Sequence, residues 1–151
     1  MKKITLLGLL VLATTFTVNA QSVEYTVITS VESIVSSGLG RSRLLSSNAE
    51  RNYKDFTSSQ TSEDNTRNKA KRSEVRIKDF EETKLLNFFN LGGIRFQNIV
   101  ANDALITSKI NTMVSEGWDL AFVTSGVESQ GGKGDGSGIY ITRYIFKRIK
   151  Q

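Results

Sequence analysis

Two Val-Glu-Ser triplets, Val31-Glu32-Ser33 and Val127-Glu128-Ser129, each follow a β-branched run and precede a glycine-rich segment. The first leads into Gly38-Leu39-Gly40-Arg41-Ser42-Arg43, and the second into a stretch with glycines at 131, 132, 134, 136 and 138 that carries Lys133 and Asp135. Glycine takes positive φ without a steric penalty, so a turn containing Gly38 and Gly40 can aim successive N–H groups at one point. Arg41 and Arg43 beside such a turn would favour an anion. The candidate ligand-binding set is therefore Glu32, Gly38, Gly40, Arg41, Arg43, Glu128, Lys133 and Asp135. The plainer reading keeps both segments as glycine turns between strands and the repeated triplet as coincidence. A second chemistry uses Glu32 and Glu128 as an acid–base pair, because two carboxylates about 5 to 10 Å apart suffice for glycoside hydrolysis.

Composition narrows the chemistry further. The chain has no cysteine and no histidine. That removes disulfides, thiol nucleophiles, thiolate metal sites, the Ser-His-Asp triad and the usual neutral-pH base. Gly-Gly-Lys-Gly-Asp-Gly from Gly131 lacks the spacing, the trailing Ser or Thr and the following helix of a nucleotide phosphate loop. One aspartate there is too few for a calcium loop. No metal, cofactor or catalytic residue is assigned, and a non-enzymatic binding module is the leading expectation.

The elements that would position these residues centre on Asp103 to Ser125. Ile106, Ile110, Met113 and Val114 share one face of a helical repeat, which predicts a helix over 103–116 capped by Asn102 or Asp103. Gly117 suits the left-handed position beyond its end. From Trp118 onward, alternation predicts a strand with Trp118, Leu120 and Phe122 on one apolar face. Ser22 to Val31 and Ile139 to Lys150 also alternate, the latter with Ile139, Ile141, Ile145 and Ile149 on one side and Tyr140, Tyr144 and Phe146 on the other. Arg41 to Leu45 reads as a short strand and Glu74 to Phe80 as an edge strand. Ala49 to Phe56 is a short helix or irregular. Residues 81–100 admit two readings. Asp79 and Glu82 suggest a capped short helix followed by a strand from Ile94 to Val100, whereas Asn90 to Gly93 would turn a hairpin. In both, Leu85, Leu86, Phe88, Phe89, Leu91, Ile94, Phe96 and Ile99 read as core. The expected architecture is α+β: a small mixed or antiparallel sheet, one main helix and a C-terminal β-hairpin. If the first strand and the Trp118 strand are parallel neighbours, both glycine loops leave the same sheet end.

Lys2 and Lys3, the uncharged apolar run Ile4 to Phe16, and small residues at Val18 and Ala20 have the form of a signal peptide over 1–20. The remainder, 21–151, has the size of one domain. Removing Lys2 and Lys3 takes 20 basic residues to 18 against 15 acidic, so the net charge falls from +5 to +3. That is too mild to imply nucleic acid. Residues 57–73 contain Ala70 as their sole apolar side chain, which predicts a mobile polar loop. The expectation is an exported, soluble protein, periplasmic or extracellular. It has no membrane span after cleavage and binds a small anion or a protein partner. A third reading is a structural subunit assembling through the edge of its terminal hairpin.

Ser30 to Arg43 (SVESIVSSGLGRSR), Phe80 to Ile99 (FEETKLLNFFNLGGIRFQNI) and Lys109 to Ser129 (KINTMVSEGWDLAFVTSGVES), with the GKGDGSG tail, resemble a group of secreted Bacteroidetes proteins of unassigned function. More distantly, Glu24 to Thr29, the turn at Glu116-Gly117-Trp118 and Tyr144 to Arg148 are similar to the domain of unknown function 4177. That resemblance implies an initial strand, a helix and a terminal hairpin. It has no counterpart for residues 33–102 and brings no site residues.

Overall fold

The computed structural model describes residues 21–34, 42–90, 92–128 and 138–150. Residues 1–20 and the glycine segments holding Gly38, Gly40, Arg41, Lys133 and Asp135 lie outside this set, as does Leu91. The strictly alternating runs at the two ends of the chain pair with each other. β1 (Val23–Ser33) and β7 (Ile139–Ile149) form an antiparallel ladder from Val23↔Ile149 to Ser33↔Ile139. β2 (Arg43–Ser47) and β3 (Phe80–Lys84) extend the sheet beyond β1, and β6 (Asp119–Glu128) pairs with β7, giving the order β3-β2-β1-β7-β6. Every pairing is antiparallel. β6 and β7 form the C-terminal hairpin, and the α+β class stands.

One helix, α2 (Phe96–Ser115), packs across the sheet. It follows the single-turn helix α1 (Arg72–Val75) and the two-residue strands β4 (Phe89–Asn90) and β5 (Gly93–Ile94). Ile106 and Met113 are buried against Ile28, Leu44, Leu85 and Phe146, with Ile110, Trp118 and Tyr144 around them. Gly117 has φ +85°, as a helix terminated by a left-handed residue requires, and Trp118 N donates back to Met113 O at 3.0 Å. Phe146, 0 % exposed, lies at the centre of the core.

Several expectations are corrected. α2 begins at Phe96, seven residues before the expected start, so Asn102 lies in its interior and caps nothing. Of the strand expected over Ile94 to Val100, only Ile94 lies in a strand, β5; Phe96 to Val100 open this helix, and β3 and β4 stand where the capped short helix was expected. The α2 starting residue Phe96 is 72 % exposed, and Leu86 and Ile94 are exposed as well, leaving Leu85 as the buried member of this expected core among the described residues. The hairpin reading located the turn between Asn90 and Gly93, which β4 and β5 flank. The edge strand is Phe80–Lys84, whereas Glu74 and Val75 belong to α1. The short strand expected from Arg41 is β2, Arg43–Ser47, and within Ala49 to Phe56 only Tyr53–Phe56 is helical, as a single 3-10 turn.

The face shared by Trp118, Leu120 and Phe122 does not exist either. A bulge at Ala121 inserts one residue between Leu120, opposite Phe146, and Phe122, opposite Ile145. Leu120 therefore lies on the helix side of the sheet and Phe122 on the other. β1 and β6 run in the same direction with β7 between them, so they are not neighbours, yet both end beside Ile139. The two loops do leave the same end of the sheet.

Candidate functional site

At that end, a carboxylate is buried under the helix. Alternation along β1 turns Ile28, Ser30 and Glu32 toward α2, and Glu32 is 7 % exposed. Asn102 reaches it from α2: its Nδ2 donates to Glu32 Oε1 at 2.9 Å. The same carboxamide accepts from Leu86 N at 2.8 Å and donates to Leu86 O at 2.8 Å. Asn102 thus behaves toward Leu86 as a strand's backbone would, using its remaining N–H for the carboxylate.

A second set of bonds fixes the chain on either side. Ser42 Oγ accepts from Ser33 N at 2.9 Å and donates to Asn87 Oδ1 at 2.7 Å, while Asn98 Nδ2 donates to Asn87 O at 2.8 Å. Ile34 N donates to Gly138 O at 3.2 Å. The described ends of both loops, Ile34 with Ser42 and Glu128 with Gly138, are therefore tied to this polar layer or to the adjoining strands. Ser30 Oγ and Ser33 Oγ are buried and find no hydrogen-bond partner among the described residues.

The electrostatics follow from burial. Desolvation pushes the Glu32 carboxyl above its ordinary value of 4.5, the Asn102 bond opposes this, and the neighbouring Asp103 charge adds to it. Burial likewise raises the Tyr144 hydroxyl. A folded state that holds the Glu32 proton more tightly than the unfolded chain is favoured by acid. That contribution is complete below the unfolded value and disappears as pH rises through the higher folded one. Glu32→Gln retains an acceptor for Asn102 without the charge. Its melting temperature is expected to exceed that of the wild type at neutral pH, and the difference to shrink below about pH 4.5. Thermal denaturation across a pH series checks this. A variant destabilised at neutral pH but not in acid would show that the charged carboxylate supports the fold.

Sequence reasoning assembled a larger set at this end, and the structure separates its described members. Glu32 lies opposite Tyr140, and Tyr140 opposite Val127, whereas Glu128 lies in the neighbouring row with Ile139 and Ser33. Adjacent rows project to opposite faces. The two glutamates accordingly leave opposite sides of the sheet, which removes the shared space a hydrolytic pair needs. Arg43 also faces away from Glu32. Its guanidinium forms an ion pair with Glu82, and Nη1 donates to Ser42 O at 2.8 Å. Gly38, Gly40, Arg41, Lys133 and Asp135 lie outside the described residues. Asn102 was missed as a site residue because it reads as a helix cap. A polar residue four positions before Ile106, on its apolar stripe, was the available signal.

Among the described residues no group of three or more acidic side chains is placed to hold a metal ion, and no helix is long and apolar enough to cross a membrane. Comparison with protein-family models, curated proteins and solved structures found no match for the chain.

Proposed function

We propose that this protein is an exported, non-enzymatic interaction module that binds a protein or peptide partner along its sheet. The observation that carries the reading is one-sided coverage. α2 lies against one face, while the other exposes Val23, Tyr25 and Val27 of β1, Phe122 of β6 and Ile149 of β7. Beside them Val27, Thr29, Leu45, Ile77 and Phe80 line a shallow hollow of about 350 Å³. Exposed apolar side chains gathered on one face, here with Lys147 and Arg143 among them, mark interaction sites more often than catalytic ones. Export rests on the signal-like pattern of residues 1–20. An anion site at the glycine loops is the weaker reading, because Arg43 is already paired with Glu82.

A thermal-shift panel of phosphates, nucleotides, sugar acids, cell-wall fragments and short apolar peptides tests the proposal on residues 21–151, since a ligand specific for the folded state raises its melting temperature. The expected result is a rise with peptides that is lost in Tyr25→Ala/Phe122→Ala. A rise with anions alone would transfer the function to the glycine loops.

A further inference from the structure

The two edges of the sheet are built differently. β3, five residues long, carries Glu81, Glu82 and Lys84. Lys109 Nζ of α2 donates to Glu81 at 2.9 Å, and Glu82 is paired with Arg43. A short, charged edge discourages the addition of another strand. β6 has ten residues, and from Leu120 to Val127 it contains no charge. Although α2 touches this strand, Leu120, Val123 and Val127 stay exposed on the helix side and Phe122, 67 % exposed, on the other. The Ala121 bulge lies near one end and leaves Phe122–Glu128 in regular register with β7. The charges of β6 are Asp119 and Glu128 at its two ends, both exposed, and neither forms an ion pair among the described residues.

We propose that the β6 edge takes up an extended segment of a partner protein by strand addition. The segment is uncharged and rich in β-branched residues over about eight positions, with a Lys or Arg at each end. This deepens the interaction-module reading and rests on it. Main-chain bonds to the open edge supply affinity, and side chains on alternating sides contact the Phe122 and Val123 faces. The terminal bases meet Asp119 and Glu128, about 30 Å apart along an extended strand. The same acids disfavour a second copy of this chain. Two β6 strands paired antiparallel about a two-fold axis bring Asp119 of one close to Glu128 of the other at both ends, and like charges across a strand pair destabilise it.

The test uses residues 21–151 and fluorescence anisotropy with three labelled ten-residue peptides of alternating valine and threonine, bearing lysine, glutamate or serine at both ends. The lysine-ended peptide is expected to bind about tenfold tighter than the glutamate-ended one. Asp119→Asn/Glu128→Gln should reduce that ratio to about twofold or less. Val123→Lys, an inward charge on the edge, should weaken binding about tenfold or more, with unchanged circular dichroism as the folding control. Tyr53→Ala, exposed on the 3-10 turn outside the sheet, should leave it unchanged. Equal affinity for lysine- and glutamate-ended peptides, binding indifferent to Val123→Lys, or no peptide binding would overturn the proposal. Binding abolished by Tyr25→Ala but not by Val123→Lys would keep the interaction module and discard the edge. A concentration-dependent dimer in sedimentation velocity that Val123→Lys dissolves would give the edge to a second copy and overturn the proposed partner.

Discussion

Asn102→Leu is expected to lower the unfolding free energy by about 3 kcal/mol and the melting temperature by about 10 °C. The substitution removes three hydrogen bonds at once and leaves Glu32 buried beside an alkyl group. Each buried group that loses its partner costs about 1–3 kcal/mol. Leu86 is partly exposed, so water can recover some of its backbone bonding, which limits the total. Most of the loss belongs to the ionised carboxylate and should therefore diminish in acid, where Glu32 binds its proton. Asn102→Asp sharpens this test. It places a second carboxylate against Glu32, and its deficit should be large at neutral pH and smaller near pH 4. Urea denaturation at two pH values measures both variants. A pH-independent loss for Asn102→Asp would show that helix packing, rather than the carboxylate, sets the cost.

Phe146→Ala is the second large effect, at about 4 kcal/mol. Phe146 is fully buried on β7 between Thr26 of β1 and Leu120 of β6, so its removal opens a cavity where neighbouring strands are fixed by their ladders. Phe122→Ala provides the internal comparison. It deletes the same ring from an exposed position two residues along the neighbouring strand from Leu120, and less than about 1 kcal/mol is expected because little area leaves water there on folding. Chemical denaturation of the two variants side by side measures the difference. Similar losses would mean that the outer face of β6 is covered in solution.

The elements legible in the sequence were those with unbroken periodicity, even where, as in β1, the apolar Val23, Tyr25 and Val27 face outward and Ser30 and Glu32 are buried. β1 and β7 alternate over eleven residues each, and the sorting of the β7 side chains into an isoleucine side and an aromatic side agrees with the register. The second half of α2 showed its stripe because Ile106, Ile110 and Met113 meet the core directly. The first half was hidden. Phe96 and Val100 are exposed there while Asn102 is buried, reversing the polarity a helical pattern relies on. The bulge at Ala121 concealed a change of phase within β6, since a hydrophobic alternation looks the same with or without one extra residue. Of the candidate site, Glu32 was found and its partner was not. The bond between them spans seventy residues of sequence, and no local pattern encodes it.

The pairing of the first strand with the last also governs how the chain reaches this structure. β1 finds its ladder partner only in the closing residues, and β2 covers one of its flanks only as far as Ile28 to Val31. Closing so long a loop exacts its entropic cost before the central ladder returns any bonds, which places this fold among the slower ones. Until β7 is in place, Ile28 has only β2 beside it and Phe146 is not there to fill the core. The centre of the sheet therefore forms in one late step, in which the β1–β7 ladder and the burial of Phe146 arrive together.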